Sequence, residues 1–206
     1  MFEYEILVVG QLECNCIILW DTESKAGVVV DPGDEAKRIA SKAEAHSLTI
    51  EAILLTHAHF DHLGAATELQ GIWECPVYLH PDDNEMFDSL DFQTSKFRMP
   101  PIKKPAITPL ADKLPLGIRF LHTPGHSPGS STFLATSLKS PIALTGDTIF
   151  CKGVGRTDLW GGSWELLENS IRTQLYVLDS NTVIIPGHGS TSTIGSERTG
   201  NPFVRG

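Results

Sequence analysis

The chain has 206 residues, of which 41% are hydrophobic and 20% charged, and its formal net charge is −9. That length suits one sizeable core and is short for two, so a single domain over residues 1–206 is expected. The acidic surplus leaves no basic stripe for phosphate, which excludes a nucleic-acid partner; no apolar run is long enough to cross a bilayer, and "MFEYEILVVG" has acidic residues where a secretion signal has basic ones, so a cytoplasmic protein with no membrane partner is expected.

In chain order, "YEILVV", "CIILW" and "GVVVD" read as strands, rich in β-branched and large apolar residues. Cys14 and Cys16 in "CNC" share one strand face without a neighbouring ligand. Together with Cys75 and Cys151 they form neither a disulfide framework nor the spacing of a structural metal site. "DPGDEAKRIASKAEAHS" is a turn and then a helix, with Asp34 at the N-cap. "AILLT" and "VYLH" are two more strands around the helical "GAATELQGIWE". "PDDNEMFDSL" is a third helical stretch, with Pro81 in its first turn.

Residues 91–117 include "RMPPIKKPAITPLADKLPLG", too dense in proline to stay regular. They are either a surface excursion over a site or a plain connector. "GIRFLHT", "SSTFLAT" and "PIALTGD" are strands. "SWELLENSIRTQLYVL" is an amphipathic helix capped by Ser163, with Glu165 in its first turn, and "TVIIPGHG" is a last strand ending in a glycine-rich turn. Strands first, then strands and helices mixed, fit two mixed sheets flanked by helices better than a simple parallel α/β sheet.

The stretch "THAHFDHLG", residues 56–64, crowds His57, His59, Asp61 and His62 onto the end of the apolar run "AILL". Lone histidines such as His46 and His80 are ordinary surface or satisfied core residues. A cluster of imidazoles and a carboxylate needs compensation, which metal ions supply. Three further strand ends each carry one ligand-type residue beside glycine or proline: His126 in "RFLHTPGHSPGS", Asp147 in "IALTGDTIF" and His188 in "VIIPGHGST". Glycine and proline let the backbone turn sharply, so that a side chain projects from the strand end. Seven such residues exceed the four ligands of one tetrahedral zinc site and suit two metals bridged by a carboxylate. Imidazole and carboxylate ligands without thiolates admit zinc, iron or manganese.

"THAHFDHLG", "TPGHSPGS", "GDTIF", "GVGRTDL" and "IIPGHGSTSTIGSERTGNPF" resemble the metallo-β-lactamase superfamily, and within it the glyoxalase-II-like branch of hydroxyacylglutathione hydrolases in its short, single-domain form. The resemblance runs from Leu12 to Phe203. It implies an α+β fold, an αββα four-layer sandwich with metals at one edge. It also implies that His57, His59 and His126 bind a first divalent ion, that Asp61, His62 and His188 bind a second, and that Asp147 bridges them, with zinc the first choice of metal. The activity implied is hydrolysis of a small-molecule thioester such as S-lactoylglutathione by a metal-bridging hydroxide, with Asp61 as the catalytic group that orients it. Longer relatives carry a C-terminal helical region that helps hold glutathione. This chain stops at Gly206, so weak recognition of the glutathione part is expected.

Two other activities fit the same resemblance: a persulfide-dioxygenase-like oxidoreductase with one iron, which also shows a "GRTD" segment, and a lactone or ester hydrolase. The complete second set, Asp61, His62 and His188, favours hydrolysis. Asn15 in "ECNCI" and Arg156 in "GVGRTD" are candidates for substrate binding, against a strand-end role and an ion pair respectively. Asp31 in "VVVDPGD" either fixes a ligand histidine or makes the turn before Pro32.

Overall fold

The computed structural model describes residues 1–110, 112–136 and 140–206. The first half of the chain builds a six-stranded sheet in sequential order: β1 (Phe2–Val9), β2 (Cys14–Asp21), β3 (Ala26–Val30), β4 (Thr49–Leu54), β5 (Val77–Leu79) and β6 (Ile107–Pro109). β1 to β3 form an antiparallel meander, and β3 to β6 run parallel. The parallel connections carry the helices: α1 (Ala36–Ala45), then the single turn α2 (Phe60–Leu63) with α3 (Ala66–Trp73), then α4 (Asn84–Asp88) and α5 (Leu90–Lys96).

The second half supplies β7 (Arg119–His122), β8 (Ser131–Ala135), β9 (Ile142–Gly146), a small hairpin of β10 (Ile149–Phe150) and β11 (Gly153–Val154), β12 (Val183–Pro186) and β13 (Ser192–Thr193). Its five-stranded sheet has the order β13-β12-β9-β8-β7, with β9 and β12 parallel. Helix α6 (Trp164–Ser170) runs into a π-helical turn at Ile171–Leu175, and α7 (Ile194–Gly200) follows β13.

Strand alternation sets the layers. On β2, Cys16, Ile18 and Trp20 face Ile39 and Leu69 of the helices, whereas Ile17 and Leu19 face Phe133, Leu144 and Ile185 of the other sheet. Both faces are buried, which is why "CIILW" is apolar without interruption. A third cluster packs Leu167, Ile171 and Ile194 over Ile149 and Ile184. The result is helices, sheet, sheet, helices: the expected αββα sandwich of two mixed sheets. Among the described residues, no helix is long and apolar enough to cross a membrane.

The local expectations differ in three places. Glu35, not Asp34, occupies the N-cap position of α1, in left-handed backbone with φ 59°. Its carboxylate accepts the Gly10 amide and pairs with Arg38, while Asp34 caps only the Glu35 amide. Residues 91–117 are more regular than their prolines suggest. α5 extends through Lys96, and β6 adds to the sheet as its outermost strand, the place where proline costs least. Finally, β12 is not the last strand: β13 pairs with it antiparallel, and the Thr193 hydroxyl accepts the Ser196 amide and starts α7.

Candidate metal centre

Two parallel strand pairs, β3 with β4 and β9 with β12, deliver their C-terminal ends to one edge of the sandwich. Asp31 follows β3, His57 and His59 follow β4, Asp147 follows β9 and His188 follows β12. Asp61 and His62 ride on α2, and His126 comes from the β7–β8 connection. Gly187, just before His188, has no room for a side chain, because a Cβ there would strike Asp147 Oδ1 and the His62 ring.

The seven side chains meet as two groups. His57 Nε2 and His126 Nε2 lie 3.0 Å and 2.9 Å from His59 Nδ1. His62 Nε2 lies 3.2 Å from His188 Nε2, and Asp61 Oδ2 is 3.6 Å and 3.3 Å from the two. Asp147 stands between the groups, with Oδ1 3.5 Å from His62 Nε2 and Oδ2 3.6 Å from His126 Nε2. Oδ1 is buried and has no hydrogen-bond partner among the described residues.

On His57, His62, His126 and His188 the other ring nitrogen, Nδ1, has a partner. His126 Nδ1 donates to the Arg156 carbonyl at 2.8 Å, and His188 Nδ1 donates to the Glu13 carbonyl at 3.3 Å. Asp31 accepts from His62 Nδ1 at 3.0 Å and from the Thr56 hydroxyl at 2.6 Å, and that hydroxyl in turn accepts from His57 Nδ1 at 3.0 Å. These bonds orient the four rings so that their Nε2 atoms face the cluster, where His59 presents Nδ1. Bare nitrogens about 3 Å apart and an unpartnered buried carboxylate oxygen are costly unless cations sit among them. The donor set therefore fits divalent metal: His57, His59 and His126 can hold one ion, Asp61, His62 and His188 a second, and Asp147 can reach both.

The two groups differ electrically. Burial, reinforced by neighbouring imidazoles, pushes His57 well below the usual histidine range, and burial with His126 brings His59 to about 3. Burial also opposes charge on His62, but Cys14 and the carboxylates of Asp147, Asp61 and Asp31 outweigh it and raise His62 well above its ordinary value. His188 is raised in the same way, against burial, by Asp61 and Asp147. Burial works against charge on Asp61 too, yet His62 and His188 hold it well below the carboxylate range. Burial lifts the Cys14 thiol to about 11. Its sulfur, 3.6 Å from His62 Nδ1, lies on the far side of that ring from the cluster and outside the ligand set.

The model of the metallo-beta-lactamase superfamily matches residues 9–188, which span all seven residues of the cluster. The chain belongs to the metallo-beta-lactamase superfamily. Members bind divalent metals, and the His and Asp groups described above are where this chain can do so. Hydroxyacylglutathione hydrolase GloC of Haemophilus influenzae is 40% identical over 97% of this chain and 97% of its own. Two solved structures are each 35% identical. The BLEG-1 B3 metallo-beta-lactamase has a TM-score of 0.91 and covers 99% of this chain and 100% of its own. The protein TTHA1623, crystallised in a di-iron-bound form, has a TM-score of 0.87 and covers 97% and 100%.

Within this superfamily fold, the two candidates for substrate binding make structural contacts. The Asn15 side-chain amide donates to the Pro186 and Gly189 carbonyls at 2.9 Å and 3.0 Å, so it ties down the turn that carries His188 instead of facing the cavity. Arg156 lines the cavity, but its guanidinium forks onto Asp158 at 2.7 Å and 2.8 Å in an exposed pair. Asp31 takes the orienting role described above as well as the turn: it sits at φ 49°. The 91–117 segment divides: its first turns, within α5, wall the cavity, and β6 is sheet edge.

Three positioning residues escape sequence reading. Asp83 is fully buried and accepts from the Ala58 amide, the Ser127 hydroxyl and the Gly129 amide, locking the His57–His62 loop to the His126 loop. Gln93 bonds both the Phe60 amide and the Ala58 carbonyl from the other side. Thr56 relays Asp31 to His57. Thr56 adjoins the histidine cluster in "LLTHAH", which is a signal of a sort; Asp83 and Gln93 lie in a helical stretch and leave none.

Proposed function

We propose that this chain is a dinuclear, metal-dependent hydrolase that cleaves thioesters of the hydroxyacylglutathione kind, S-lactoylglutathione among them. The observation that carries this reading is the donor set itself: two groups of three side chains with Asp147 between them and its Oδ1 otherwise orphaned. Its similarity to a relative named hydroxyacylglutathione hydrolase over nearly the full length of both chains supports the thioester over other acyl compounds. Zinc is the metal proposed, since imidazole and carboxylate ligands suit it, with iron as the alternative that the di-iron relative raises.

Two divalent ions in this position supply an acidified water at neutral pH and a Lewis acid for the carbonyl oxygen. The chain's own residues do the rest. His57, His59, His126, His62 and His188 present fixed nitrogens, and Asp31 keeps two of those rings in register. Asp61, at the cavity floor, holds its carboxylate where it can orient the attacking water. The thiolate leaving group is weakly basic, so no general acid is required. The test is elemental analysis of protein loaded with zinc, beside an assay of S-lactoylglutathione cleavage. About two metals per chain with thioester cleavage is expected. One metal at saturation, or two metals without any thioester cleavage, refutes the reading.

A further inference from the structure

The walls above the cluster are unlike its floor. A cavity of about 840 Å³ is lined by His59, His126 and His188 together with Phe92 and Phe97 of the α5 region and Leu159 and Trp160. Phe92, Phe97 and Trp160 are 65%, 50% and 54% exposed. Three large aromatic side chains around one mouth form an apolar surface that water solvates poorly. A smaller hollow lined by Met99, Pro100 and Ile102 shares Leu12, Phe60 and Asp61 with the main cavity, so the apolar surface continues past Phe60. The charges on the walls are few. Among the described residues the cationic side chains lining the cavity are Lys96 and Arg156, and Arg156 is committed to Asp158. Lys96 Nζ lies 5.6 Å from the centre of the Phe92 ring. A glutathione thioester would bring two carboxylates and an ammonium to a wall that offers one uncommitted cation.

Resting on the thioester-hydrolase reading above, we propose that the substrate carries an extended apolar group, alkyl or aryl, flanking the scissile carbonyl and seated between Phe92, Phe97 and Trp160. A group of roughly six to ten carbons fills such a trough, and each methylene removed from water favours binding. The cavity is large enough for a ligand of that size, and the metal-ligand candidates His59, Asp61, His126, Asp147 and His188 line it, where the carbonyl must lie. Binding of this remote apolar part positions the carbonyl over the reacting centre. The glutathione peptide is then accommodated loosely, without the paired cations its carboxylates would need.

Binding and turnover test this separately. Straight-chain carboxylates from acetate to octanoate are titrated calorimetrically into the zinc-loaded protein. Each presents the same head group, so chain length isolates the wall. Octanoate is expected to bind at least about tenfold more tightly than acetate, below the limit set by full burial of six methylenes. In the Phe92→Ala, Trp160→Ala double variant that ratio is expected to fall below about threefold. Thioesters of one small thiol are expected to show kcat/KM rising with acyl length, or acetyl thioesters with the length of the thiol's alkyl chain. Equal affinity for octanoate and acetate overturns the proposal. So does S-lactoylglutathione cleaved with a higher kcat/KM than every alkyl thioester and impaired tenfold by Lys96→Ala, because the wall then reads peptide carboxylates. If no thioester is cleaved while the octanoate preference stands, the hydrolase reading fails and the apolar-ligand inference survives.

Discussion

The two halves of the histidine cluster are built from the same kinds of loop, yet they are opposite in character. His57, His59 and His126 form a group of imidazoles, and burial together with mutual repulsion pushes His57 and His59 below their ordinary range. His62 and His188 share their space with Asp61 as well as Asp147, and they hold protons tightly. The first half is thus a neutral imidazole nest ready for a cation. The second is a charge-compensated pocket in which a cation must displace protons. The comparison teaches that ligand identity alone does not set how a metal enters; the carboxylates beside each ring decide it.

Asp147→Ala is the severest way to break the contrast, because this residue alone reaches both halves. Metal content should fall from about two to below one per chain, and thioester cleavage by about 10²–10³-fold or more. Retention of both metals by this variant would end the bridging assignment. His188→Ala should act on one half only: elemental analysis should find about one metal per chain, with the His57, His59 and His126 group still loaded.

Asp31→Asn probes the two halves together. It weakens the hold on His62 directly and on His57 through Thr56, so metal affinity should drop about 10–100-fold at both sites, measured by competition with a chelator. A loss confined to one half would show that the Thr56 relay is idle.

The electrical contrast itself is read by acid. Imidazole must lose its proton to bind metal. Histidines raised above their ordinary value, His62 and His188, reclaim protons at a higher pH than His57 and His59, which are pushed below it. On lowering pH, the second half should therefore empty first, at a higher pH than the first. Metal counts after dialysis between pH 4 and 8 would show two steps; a single step, or the reverse order, would contradict the assignment of charge to the halves.

Arg156→Ala is the smallest expected effect. Its pair with Asp158 is exposed and screened by water, so thermal stability should barely move. The His126 tether to residue 156 is a backbone carbonyl and survives the substitution. A large loss of metal here would mean that the guanidinium, not the carbonyl, keeps His126 in place.

The cluster was legible because its members are grouped. Four of the seven lie within six positions of "THAHFDHLG", and His126, Asp147 and His188 each stand in a short glycine- or proline-marked turn after an apolar run. The core was legible in the same way, since Ile17 and Ile18 on opposite faces of β2 leave an unbroken apolar string. Asn15 stayed open between substrate and a strand-end role because its partners, the Pro186 and Gly189 carbonyls, lie more than 170 positions away. Asp34 was misread because the helix begins one residue later, where Glu35 can reach Gly10 and Arg38.

Sequence alone determined which side chains could carry metal and that two mixed sheets would be flanked by helices, because strand periodicity, turn residues and ligand spacing are local properties written over a few positions; the four-layer sandwich came from the family resemblance. Tertiary structure alone decided which nitrogen each histidine offers, that Asp31 governs two rings, that Asp83 locks two loops together, and that Phe92, Phe97 and Trp160 wall one cavity. Those facts depend on hydrogen bonds and contacts between segments dozens of residues apart. Such contacts form only when the two sheets close on each other, and they impose no period on the chain between them.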